Sequence, residues 1–101
     1  MPQIRYDLYT RAFAMMLKVE RKRRVWSLED MAKRTNLTRS AVSAYERGQC
    51  APTFGNIVRI AETFNVPLSD MMRAVENVAR VLERNHDAAI EPASASKDTE
   101  G

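Results

Sequence analysis

At 101 residues the chain suits one domain rather than two, and its apolar runs are too short for any segment to cross a bilayer. A single cysteine, Cys50, and a single histidine, His86, exclude an internal disulfide and leave too few soft ligands for a metal, a cofactor or a histidine-based catalytic centre to be expected. The net charge of +3 is uneven, with +6 over residues 1–85 and −3 beyond, and a basic body suits a polyanionic partner.

The first helix is predicted from about Tyr6 to Arg24, a stretch free of Gly and Pro in which Leu8, Phe13, Met16, Leu17 and Glu20 recur at helical spacing. It ends in a cluster of basic residues, Lys18 and Arg21 to Arg24. The second helix, about Leu28 to Arg34, opens with Ser27 as its cap and Asp30 closing a capping box, flanked by Trp26 and Met31 as an apolar staple. Asn36 follows, a residue that accepts the left-handed backbone of a tight turn. The third helix starts at the cap Thr38, with Leu37 and Val42 as its staple. It sends Ala41, Val42 and Tyr45 inward and stops at Gly48. A fourth, about Thr53 to Phe64, is expected to bury Phe54, Ile57, Ile60, Ala61 and Phe64, and Asn65 ends it. Pro67 then opens a fifth, about Leu68 to Asn85, with an apolar stripe of Leu68, Met71, Met72, Val75, Val78, Ala79 and Leu82. Residues 86–101 lose the pattern and read as a disordered tail. With no strand signal and no repeat, the fold class is all-α: five helices in one domain over residues 1–85.

The second and third helices satisfy a narrow constraint. Ala32 supplies the small residue needed where the two cross, Asn36 the turn, and Val42 the branched side chain that fills the wedge between them. That spacing is the signature of a helix-turn-helix, in which the later helix is held out as a recognition element, here over about Ser27 to Arg47.

These residues bring the chain close to a known family. It resembles the lambda-repressor-like domains of phage repressors and of Cro- and Xre-type regulators from about Phe13 to Met72. The likeness rests on Arg21, the run WSLEDMAKRTNLTRSAVSAYERG, Pro52 and the run IVRIAETFNVPLSDM. Two positions depart from the family pattern. Asn36 stands for a turn glycine, and Val25-Trp26 for Gly-Leu, so the loop before the second helix is expected to run differently. The resemblance implies that Arg21 and Glu46 form a bridge between the first and third helices, a structural pair rather than a DNA contact.

With its inner face assigned, the third helix offers Arg39, Ser40, Ser43 and Ala44 for base contact. Arg39 is the leading candidate because its planar fork matches guanine O6 and N7. Phosphate contacts are expected from Thr38, Lys33, Arg47, Gln49, Thr53 and Asn56 around that face. Arg23 and Arg24 either add charge there or form a solvated helix end. Cys50 reads as a plain loop residue. Val75, Val78, Ala79 and Leu82 are assigned to a homodimer interface, the alternative being that they pack back on Leu8 and Phe13 of the first helix.

The expected function is a cytoplasmic transcriptional regulator, a repressor that binds double-stranded DNA at a palindromic operator as a homodimer, with no membrane association. A chain of this length leaves no room for a ligand domain, so control is expected to act through concentration, the tail or an unidentified protein partner. The rival from another class is a protein-interaction module on the same fold, such as an antitoxin or anti-repressor partner, that lacks specific DNA binding. An enzyme is not expected, since no nucleophile–base–acid set or phosphate-binding glycine loop is present.

Overall fold

Helix boundaries follow from local chemistry that repeats along the chain. The computed structural model describes residues 2–95, with side chains described from Asp7 to Asn85. It contains α1 (Pro2–Arg23), α2 (Leu28–Thr35), α3 (Arg39–Glu46), α4 (Phe54–Phe64) and α5 (Leu68–Ala95), and no strand among the described residues. Each of the middle helices opens on a hydroxyl cap. Ser27 accepts from the Asp30 amide while Asp30 reaches back to the Ser27 amide. Thr38 accepts from the Ala41 amide at 3.0 Å, and Thr53 from the Asn56 amide at 3.2 Å. These bonds satisfy donors that a helix start leaves orphaned.

The helix ends share one device. After α1, α2, α3 and α4 a residue turns left-handed: Val25 (φ 60°), Asn36 (φ 60°), Gly48 (φ 70°) and Asn65 (φ 58°). In each case the next amide bonds back five residues, as from Trp26 to the Arg21 carbonyl and from Leu37 to the Ala32 carbonyl. This is the Schellman closure. Val25 takes the turn that a glycine would take, so the loop into α2 is not rerouted. The β-branched side chain carries the strain instead.

α1 lies along α5 and against α3, α2 packs on α3 and α4, and α4 rests on α5. Leu8 shares a hollow with Ala79 and Glu83, whereas Met16 shares one with Asp70 and Ala74, so α1 and α5 run antiparallel. The centre is filled by Leu17, Met31, Val42 and Ile60. Thr35 is buried with them, and its hydroxyl donates to the Met31 carbonyl at 2.7 Å.

Three sequence expectations change. Val75 and Ala79, assigned to a dimer interface, are 2% and 4% exposed and belong to the core against α1, with Val78 and Leu82 half-buried on the same core. A long α1 covers that stripe from within the same chain. Phe54, expected inside, is 70% exposed. It is the first residue of α4, and it is not among the residues packed against the core. Finally, α5 continues through Ala95 instead of ending near Asn85. No Gly or Pro interrupts it before Pro92, and Ala88 and Ala89 favour helix. Of the tail assigned to 86–101, residues 96–101 lie outside the described residues. No helix among the described residues is long and apolar enough to cross a membrane.

Candidate nucleic-acid interface

α3 is held by its inner face. Val42 is 1% exposed and Tyr45 8%, and both join the core cluster, with Ala41 and Leu37 packed beside it. With that face fixed, Arg39, Ser40 and Arg47 stand exposed, and Ser43 and Ala44 are half-buried along the same side. Thr38 is exposed, its oxygen engaged in capping. Arg39 has no protein partner among the described residues, so its whole guanidinium is available to a ligand.

The flanking residues are less uniform. Arg47 donates to its own helix at the Ser43 carbonyl and to Gln49 Oε1 at 3.2 Å, which joins the end of α3 to the following loop. Lys33 is exposed on α2, and Thr53 is exposed at the start of α4. Asn56 Nδ2 donates one of its two N–H groups to the Tyr45 hydroxyl at 2.9 Å, which ties the first turn of α4 to α3. Cys50 is exposed in the loop after α3.

Behind the face, Arg21 and Glu46 form a two-pronged ion pair, Nε to Oε2 at 2.6 Å and Nη2 to Oε1 at 3.0 Å. Arg21 Nη1 also donates to the Trp26 carbonyl at 2.7 Å. The side chains are 10% and 6% exposed, so the pair links α1, the α1–α2 loop and α3 in a nearly dry setting. The Glu46 hydrogen bonds hold the Arg21 guanidinium above its ordinary pKa, against the opposing effect of burial.

Sequence reasoning left Arg24 between two roles, and the structure gives it packing. Its guanidinium lies 4.3 Å from the Phe64 ring and 5.7 Å from that of Trp26, and donates to Glu20 and to the Phe64 carbonyl. Arg23 pairs with Glu20 at 2.7 Å. Burial pushes the Glu20 pKa up, but the bonds from Arg24 and Arg23 outweigh it and leave the carboxyl below its usual value. The Trp26 ring stacks near Phe64 and carries Arg34 at 4.4 Å. Arg59 was also missed: it donates to the Asn36 carbonyl and braces the turn between α2 and α3. The only sequence signal for such contacts is the aromatic and basic composition, which does not specify partners so far apart along the chain.

The profile of the helix-turn-helix family matches residues 17–71, more than half the chain and all of α2, α3 and α4. The chain is similar in structure to the clp gene regulator ClgR from Corynebacterium glutamicum, with a TM-score of 0.75 over 86% of this chain and 94% of that one. At 15% identity this likeness is one of fold. It is also similar to an HTH_3 family transcriptional regulator from Vibrio cholerae, 27% identical, with a TM-score of 0.62 over 75% of this chain. It spans 42% of that protein. No curated protein matches the chain. The profile match, and the buried geometry that holds α3 outward, show that the chain belongs to the helix-turn-helix family of DNA-binding transcriptional regulators, in its lambda-repressor-like form.

Proposed function

We propose that the protein is a repressor that binds a two-fold palindromic operator as a homodimer, with the first turn of α3 reading base edges in the major groove. The observation that carries this reading is the exposed, unpartnered Arg39 at the start of a helix whose other face is locked into the core. A guanidinium held this way matches guanine O6 and N7. Ser40, Ser43 and Ala44 lie beside it, and Thr38, Lys33, Arg47, Gln49, Thr53 and Asn56 are the phosphate-binding set, Asn56 through the N–H that Tyr45 does not take. The net positive body supplies the sequence-independent attraction to the duplex.

The homodimer needs a different surface from the stripe turned toward α1. Among the described residues, the exposed large apolar side chains on the long helices are Tyr9, Met15 and Val19 on α1 and Met72 and Val81 on α5. Met15 and Val19 lie one turn apart on one face, and Val81 continues the side of α5 that carries half-buried Ala74 and Val78. We assign the two-fold contact to Met15, Val19 and Val81; a dimer that reads two half-sites must hold its two α3 helices about 34 Å apart.

Selection of bound duplexes from a random pool, at two salt concentrations, tests the whole reading. Recovery of a palindrome with half-sites about one helical turn (~10 base pairs) apart supports it. Recovery of no motif, with retention that disappears at the higher salt, leaves only the nonspecific charge term and refutes it.

A further inference from the structure

We propose that Glu29 is a positioning residue for Arg39 and thereby sets the guanine preference of the recognition helix. The inference rests on the DNA-binding reading above and adds a determinant from α2.

The first turns of α2 and α3 meet at a shallow hollow of about 340 Å3 lined by Ser27, Leu28, Glu29 and Arg39. The Ser27 hydroxyl accepts from the Asp30 amide, and Asp30 is held by the Ser27 amide, so both are spent on the cap. Leu28 is half-buried and forms an apolar wall. Of the four lining side chains, that leaves one carboxylate and one guanidinium, both exposed and neither engaged by another described residue.

Chemistry gives the pair its role. A guanidinium carries five donors, and a two-pronged contact with guanine uses two of them. The remaining donors are left for the protein, and Glu29 is the one carboxylate that lines the same hollow. A carboxylate there accepts charge-assisted bonds, fixes the plane of the fork and removes rotamers that would aim it at a phosphate. An acid on a surface that approaches DNA also repels phosphates. Glu29 therefore lowers affinity for every duplex while raising the penalty for a wrong base under Arg39.

The test runs the wild type, Glu29→Ala and Glu29→Gln through the same duplex selection. Fluorescence anisotropy then measures each protein on the selected duplex and on duplexes altered at the guanine under Arg39. Glu29→Ala is expected to lower the guanine preference about tenfold and to strengthen binding to unrelated duplexes. Glu29→Gln, whose amide oxygen still accepts, is expected to keep most of the preference. Circular dichroism melts confirm that the exposed substitutions leave the fold intact. An unchanged guanine preference in Glu29→Ala, whatever happens to overall affinity, overturns the positioning role and leaves the DNA-binding reading standing. A wild type that selects no motif overturns both.

Discussion

Val25 shows how a single residue can carry a local cost that the rest of the fold tolerates. It is 88% exposed and sits at φ 60°, where a β-branched side chain meets its own backbone. Replacing it with glycine removes that clash and leaves the backbone hydrogen bonds of the α1–α2 turn in place. Val25→Gly is therefore expected to raise stability by about 1 kcal/mol in urea denaturation, and an unchanged or lowered midpoint would mean the turn is relaxed with valine. The Arg21–Glu46 pair works in the opposite direction. Glu46→Ala leaves a guanidinium in a site where its side chain is 10% exposed, with only the Trp26 carbonyl to receive it. A loss of about 3 kcal/mol is expected, and the double change Arg21→Met with Glu46→Leu should cost less than the single one. Equal losses would show that packing, rather than an orphaned charge, sets the penalty.

At the scale of elements, the boundaries of the three middle helices were legible, while the outer ends of α1 and α5 and the partnerships were not. Ser27, Thr38, Asn36 and Asn65 act within a turn of their own position, so short-range chemistry marks where helices start and stop. The 3.6-residue period likewise separated Val42 and Tyr45 from Arg39 and Ser40 on α3. Which element covers an apolar stripe is a different question. Nothing local distinguishes Val75 packed on α1 from Val75 packed on a second chain, or tells that Phe54 is left exposed. The Asn56–Tyr45 bond was invisible for the same reason, since a lone asparagine near a basic face is equally suited to a phosphate. Tyr45→Phe removes the acceptor and is expected to cost about 1 kcal/mol while loosening the start of α4 against α3. Native-state hydrogen exchange should show faster opening at Ile57 and Val58 than in the wild type. Protection unchanged there would assign the α3–α4 contact to apolar packing alone.

For the whole molecule, an antiparallel α1–α5 pair supports a small module whose recognition helix is fixed from behind by core residues and an ion pair. The proposed dimer uses the exposed side chains Met15, Val19 and Val81, so Val81→Glu should leave the thermal melt of the protomer within about 0.5 kcal/mol of wild type. In sedimentation it should shift the species from dimer toward monomer. A wild-type monomer at all concentrations, or a Val81→Glu dimer as tight as the wild type, would move or remove that interface. Base reading by α3 is tested most directly by measuring Arg39→Ala on the selected operator and on every single-base variant of one half-site. The expected result is a loss of about 1–3 kcal/mol confined to one guanine, with the other positions discriminated as before. A uniform loss across all variants, with a salt slope reduced by about one, would make Arg39 a phosphate contact and contradict base reading at the start of α3.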